Sequence, residues 1–371
     1  MSRMGGAGIN PIKAGASPHF REGRVKSLPS FLSVDLRRIK PFSEVTRYGY
    51  AVGRIRVLEM QMLNNQRTER LIDADFEGAL NILDELDMGD YLAGAKLARD
   101  VDVDLTAFLC RVYSTLAEAL PRGSIIMDFF LCRYDFHNLK ALLKARIEGQ
   151  DAPQGLLEGL GTIGLEALRR GVENPAELPS PFKEAMEDAA ELTSPQELDT
   201  LMEKHFLTYR LFLARREGSP FVVDFARASI DLANLKLVIR ARLLSKEREF
   251  LEAMIVKGGF VPAVNLLDLY ADPPEIMAKK LEANIYYSKL LEIAESEDRV
   301  VRLSDFDRRS DDQLMDMVRG MKRVSVGVEP IFAYLRAREN EVLVVRTILI
   351  SKLHNIPPAA IEKALRKLYI E

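Results

Sequence analysis

Four histidines, two cysteines and several acidic runs are the residues of this chain with the most versatile chemistry. A catalytic or structural metal needs roughly three or four ligands at matched spacing. His19, His137, His205 and His354 are scattered along the chain, and no H-E-x-x-H occurs. Cys110 and Cys132 form no CxxC pair and lie beside no convincing base, so they read as small buried hydrophobes. Asp73, Asp75 and Glu77, and again Asp84, Glu85 and Asp87, are the runs that solvated helix faces carry routinely. There is no G-x-x-x-x-G-K-[ST] loop to cradle a nucleotide and no G-x-S-x-G elbow. Gly258 and Gly259 read as a helix stop. These residues give no catalytic group, no metal site, no cofactor and no small-molecule substrate.

A repeated polar motif carries more information. Residues 113–146 align with 209–242 at a constant offset of 96. Tyr113 matches Tyr209, Asp128 matches Asp224, and Phe129 matches Phe225. Asp135, Asn138, Leu139 and Lys140 match Asp231, Asn234, Leu235 and Lys236, and Arg146 matches Arg242. A third, degraded copy places Glu341 at the Asp position, Val344 at the Asn position, Arg346 at the Lys position and Lys352 at the Arg146 position. Asp and Asn are poor residues inside a helix, because their side chains compete for backbone hydrogen bonds. Keeping both at one spacing in two copies implies a specific polar contact. The favoured reading is that Asp135, Asn138, Asp231, Asn234 and Glu341 tie each repeated helix to its surroundings. A catalytic group would not recur in several equivalent units.

The elements that position this motif are helical. From residue 43 onward the apolar residues recur at spacings of three and four, beginning with Tyr48, Val52, Ile55, Leu58 and Met62. The spacing predicts helices over 104–120, 125–147, 156–169, 194–217, 221–250, 274–297, 310–322, 330–353 and 358–368. Ser194 and Pro195 form an N-cap and first-turn pair. No convincing strand alternation appears. A repeat of nearly a hundred residues exceeds solenoid units and points to three similar helical domains in tandem. The expected division is a flexible basic N-terminal extension over 1–42, then helical domains over 43–154, 155–262 and 263–371.

The totals agree with that class. The 371 residues are 47% hydrophobic and 29% charged, with no Trp, the balance of a soluble globular protein. A net charge of -3 gives no bulk attraction for nucleic acid. The cysteine usage reads as intracellular. No stretch is long and apolar enough to span a bilayer, which takes about 20 residues. The segment 342–350, for example, is interrupted by Arg346. The Gly- and Pro-rich start does not have the pattern of a signal peptide.

The segment 48–59, YGYAVGRIRVLE, resembles the opening helix of the C subunit of A-type and V-type rotary ATPases. The segment 80–92, both D-x-x-N-L-K helices, Gly258-Gly259, and the closing pieces from Glu329-Pro330 to Ile356-Pro357 are similar to that family in the same order. The basic extension and the pair Val344-Val345 depart from its pattern. The resemblance implies an all-α chain of three pseudo-symmetric domains arranged as a funnel. It further implies a non-catalytic central-stalk subunit that links the central-shaft subunits to the membrane proteolipid ring and couples ATP turnover to proton or sodium transport. Such a chain would sit peripherally on the cytoplasmic face of the cell membrane. Charged residues on the repeated helices, Lys140, Arg146, Lys236, Arg242, Arg346 and Lys352, are the expected partner contacts, with ordinary solvated faces as the competing reading. A helical adaptor for soluble partners is the alternative function.

Overall fold

A computed structural model describes residues 46–150, 156, 159–272, 276, 280 and 299–371. The basic extension and most of the expected 274–297 helix lie outside the described residues. Every regular element among the described residues is helical.

Six long helices form the frame, in three pairs. The first pair is α5 (Ala98–Ala117) and α6 (Ile126–Glu148). The second is α9 (Pro195–Glu217) and α10 (Pro220–Leu243). The third is α13 (Arg299–Gly320) and α14 (Glu329–Leu353). Local chemistry sets the turns. Ser194 and Ser219 cap α9 and α10 by accepting from the backbone N–H of Glu197 and Val222, each at 3.4 Å, with proline in the first turn. Gly218, at φ 76°, stops α9 in the left-handed conformation.

The shorter helices fill the spaces between pairs. Before the frame come α1 (Gly49–Leu58), α2 (Asn65–Asp73), α3 (Phe76–Leu83) and α4 (Gly89–Leu92). Between α6 and α9 lie α7 (Leu165–Glu173) and α8 (Ser180–Asp188). After α10 come α11 (Arg248–Met254) and α12 (Ala263–Ala271), and α15 (Pro358–Ala364) follows α14. Two expected helices are corrected. The 156–169 helix begins only at Leu165, because the backbone of 160–163 is drawn into a loop over Asp135. The 221–250 helix ends at Leu243, and Ser245 (φ 49°) turns the chain into α11.

Packing between pairs runs head to tail. The second helix of each pair lies on the first helix of the next: α6 on α9, α10 on α13, and α14 back on α5. The chain therefore closes on itself. Helix α14 is buried on nearly all sides, and so has no single apolar stripe. Helices α1 and α3 pack on α14, so both ends of the chain share one core. Two smaller cores extend along the seams, one over 136–202 where α6 meets α9 and one over 232–306 where α10 meets α13.

The repeat explains how the loops are held. Asp135 is buried and accepts from the backbone N–H groups of Thr162 and Ile163 and from the Thr162 hydroxyl, at 2.8–3.0 Å. Asp231 does the same with Phe260 and Val261, at 2.8 and 3.1 Å. Asn234 bonds both backbone groups of Val256. Glu341, in the third copy, accepts from the N–H of Leu63 at 2.5 Å, a loop from the opposite end of the chain. Each carboxylate reaches its loop beside a glycine or a bare backbone amide. A Cβ on Gly259 would lie 2.0 Å from Asp231 Oδ1, and one on Gly161 (φ 116°) would lie 2.3 Å from Asp135 Oδ1.

Replacing Gly259 with alanine should therefore lower unfolding stability by about 1–3 kcal/mol, the usual cost of forced overpacking. Gly320→Ala, where a new Cβ meets nothing within 4 Å, serves as the control and should be neutral or slightly stabilising. Urea unfolding of the two variants checks this, and equal stability would remove the carboxylate-loop reading.

Candidate functional site

The closed ring brings the second helices together near their N-terminal ends. Phe129 of α6, Phe225 of α10 and Phe332 of α14 meet there, one from each pair. Phe332 is fully buried, with ring centroids 5.3 Å from Phe129, 5.0 Å from Phe130, 5.4 Å from Phe221 and 4.8 Å from Phe225. Tilted and edge-to-face contacts of this kind add to the burial of apolar area.

One helical turn further along lies an ionic cluster, again built from all three pairs. Glu339 of α14 accepts hydrogen bonds from the Tyr113 hydroxyl of α5 (2.7 Å), the Tyr134 hydroxyl of α6 (3.1 Å) and Arg133 Nη1 of α6 (3.3 Å). Arg336 Nη1 lies 3.8 Å from the same carboxylate, while Arg336 Nη2 and Arg366 Nε both donate to Asp311. Arg210 of α9 enters over the face of Phe129, 4.3 Å from the ring centroid. At offset 96, Arg133 corresponds to Ser229 and Arg210 to Ser114. The first pair thus supplies its arginine from the second helix and the second pair from the first helix. Ser229 is buried and bonds the Phe225 carbonyl, so no large side chain competes for Arg210's place.

Electrostatics follow from this geometry. Burial pushes the Glu339 carboxyl up, but the charges of Arg133 and Arg336 and the Tyr113 bond outweigh it and hold the group below its ordinary value. Burial pushes the Arg210 guanidinium down to about 10, with Arg133 and Arg336 adding in the same direction. Arg210 Nε and Arg336 Nη1 are buried without a hydrogen-bond acceptor. Nothing in the cluster is a nucleophile. The nearby Cys132 thiol is pushed up to about 12 by burial, so it stays protonated at neutral pH. Among the described residues no group of His, Cys, Asp and Glu could hold a metal ion, and no helix is long and apolar enough to cross a membrane.

The six cations singled out from the sequence do not join this cluster. Three of them bridge the ring. Lys140 of α6 pairs with Asp199 of α9 at 3.3 Å, beside Lys144 at 2.8 Å. Lys236 of α10 pairs with Asp307 of α13 at 2.7 Å. Arg346 of α14 pairs with Asp102 of α5 at 2.6 Å. The motif cation of each second helix therefore meets an aspartate on the first helix of the next pair. Lys352 donates to the carbonyls of Ile72 and Ala74 at the end of α2. Arg146 donates to the Val172 carbonyl at 3.2 Å, and Arg242, in the last turn of α10, is also engaged. Sequence reasoning missed Arg133, Arg210, Arg336 and Glu339. The signal for Arg133 and Arg210 was the exchange of arginine and serine between the two copies, which a search for matching residues passes over.

The described residues define a class of protein by fold, an all-helical ring closed head to tail around a buried ionic axis. Residues 51–364 match the model of the ATP synthase (C/AC39) subunit family, and the chain belongs to that family. It is 26% identical over 322 residues to the C subunit of the V-type sodium ATPase of Enterococcus hirae, covering 85% of this chain and 97% of that relative. The C subunit of the A-type ATP synthase of Methanocaldococcus jannaschii is 23% identical over 347 residues, covering 87% of each. The C subunit of the V-type ATP synthase of Thermus thermophilus is 26% identical over 338 residues, covering 85% of this chain and 97% of the relative.

Because the folded pKa of Glu339 is depressed, its contribution to stability is present above the ordinary value of 4.5 and is lost as pH falls through the lowered one. Glu339→Gln should cost roughly 3–5 kcal/mol at neutral pH, since it strands buried guanidinium groups. It should also flatten the acid limb of a plot of urea midpoint against pH. An acid limb as steep as that of the parent protein would contradict the assignment.

Proposed function

We propose that this chain is the non-catalytic central-stalk subunit of an A/V-type rotary ATPase. In this reading it joins the central-shaft subunits to the membrane proteolipid ring, so that ATP hydrolysis or synthesis is coupled to proton or sodium transport. The observation that carries the proposal is the head-to-tail closure of three helix pairs in a member of the C/AC39 family. A part that passes torque between two partners must resist shear without a flexible joint. Here the large seams, α6 on α9, α10 on α13 and α14 on α5, each combine apolar packing with a cross-pair ion pair. The expected helical domains over 43–154, 155–262 and 263–371 would then form one funnel-shaped collar, with α1 and α3 of the first packed on α14 of the third.

Partner contacts on such a collar would be polar enough to form and release. Arg346, with 49% of its side chain exposed in its pair with Asp102, is the best placed of the six sequence-selected cations to exchange its internal partner for an external one. Lys140, Arg146, Lys236, Arg242 and Lys352 would be further partner contacts on the repeated helices. The chain would sit at the cytoplasmic face of the cell membrane, held there by the complex. No nucleic acid or small-molecule substrate has a place in this reading.

Deleting the chain from its own organism tests this reading. Sealed membrane vesicles from the deletion strain should lose ATP-driven ion pumping while the soluble ATPase activity persists, and from the detergent-solubilised parent complex the tagged chain should co-purify with shaft and ring subunits. Pumping that survives deletion would contradict the coupling role.

A further inference from the structure

The axial cluster holds more positive charge than its own carboxylates balance. Arg133, Arg210, Arg336 and Arg366 face Glu339 and Asp311. Both carboxylates are already committed, Glu339 to two tyrosine hydroxyls and Arg133, and Asp311 to Arg336 and Arg366. Arg336, with only 7% of its side chain exposed, has Nη1 without an acceptor, and Arg210 Nε is likewise unsatisfied. Buried cationic donors without acceptors are costly, so a site that retains two of them is short of an anion. Cation–π contact with Phe129 offsets part of the cost at Arg210, but it is weaker than a charge-assisted bond to a carboxylate. The cluster reaches solvent through Arg133. Arg133, which bonds Glu339 through Nη1, has 45% of its side chain exposed.

We propose that this arginine cluster, drawn from all three helix pairs, is a receptor for an acidic side chain of a protein partner. The occupant would be a carboxylate on the end of the central shaft, so the inference rests on the coupling reading above. Guanidinium groups match a carboxylate by paired, parallel N–H bonds, and the match is strengthened where water is excluded. Arg133 makes the first contact from solvent. Its movement toward the incoming carboxylate frees room at Glu339 for Arg336 Nη1, which lies 3.8 Å away. Docking would thus complete a hydrogen-bond set that the free chain leaves unfinished. Because one arginine comes from each pair, the carboxylate would also tie the three pairs together at the axis. A partner seated there would be gripped by the whole ring.

The test uses the full chain and the purified shaft subunits of the same ATPase. Binding is measured by titration calorimetry for the parent protein, Arg133→Gln and Arg133→Lys. The loss of one charge-assisted bond should weaken binding by roughly 10- to 100-fold in Arg133→Gln. Arg133→Lys keeps the charge beside Glu339 and the fold, and should fall between the other two. The parent affinity should drop as salt is raised. Parent binding with both variants unchanged would overturn the inference and leave the coupling reading intact. Absence of parent binding to the shaft would overturn the coupling reading itself. Inorganic phosphate is the second probe. If millimolar phosphate raised the melting temperature of the parent protein but not of Arg133→Gln, the cluster would serve a free anion and the carboxylate proposal would be wrong. A circular dichroism melt of each variant separates lost binding from lost folding.

Discussion

Phe332 is the contact on which this architecture turns. It is fully buried against aromatic rings from the other two helix pairs, and α14, which carries it, is covered by elements from both ends of the chain. Three pairs of long helices with this much apolar surface cannot each hide it alone. Placing the second helix of each on the first helix of the next hides all three at once, and only a closed ring leaves none uncovered. The aromatic layer fixes the radius of that ring. The ionic layer one turn away then specifies which helices face one another, because a misplaced pair would strand a buried charge.

The chain ends have a special role in that closure, since the seam between α14 and α5 joins residues far apart in sequence. Arg338 works there as a staple. Its guanidinium is fully buried and bonds Asp87 Oδ2 and Glu341 Oε2, both at 2.7 Å, and the Leu58 carbonyl at 3.1 Å. The N-terminal helices are thereby locked to α14 through a charge that has no way back to water. Separating these elements requires exposing apolar area and breaking buried ion pairs together.

Much of the fold was legible in the sequence. The helical periodicity, the Ser194-Pro195 start and the copied Asp and Asn positions all lead to observed contacts, since Asp135 and Asp231 bind equivalent loops. The third copy was harder to read for a physical reason. Val344 lies in apolar surroundings with 1% exposure, and the amide function has moved one turn earlier to Asn340, which bonds the Lys367 carbonyl. The loop that Glu341 holds comes from the other end of the chain, so no local spacing could point to it. Axial charges were the least legible part. Arg133 and Arg210 occupy non-equivalent positions in their copies, and the partners of Glu339 come from α5 and α6, far away in sequence. The cations on the repeated helices were legible as a pattern, but three of them, Lys140, Lys236 and Arg346, turn out to close the ring with Asp199, Asp307 and Asp102.

Hydrogen exchange on a Phe332→Ala variant tests the closed ring most directly. Truncating a buried phenylalanine costs about 3–5 kcal/mol, enough to raise every opening that depends on it. If the three pairs are one cooperative ring, amide protection should fall together in α5, α6, α9, α10 and α14. Protection lost from α14 alone, with the first two pairs unchanged, would show three independent hairpins and contradict the account.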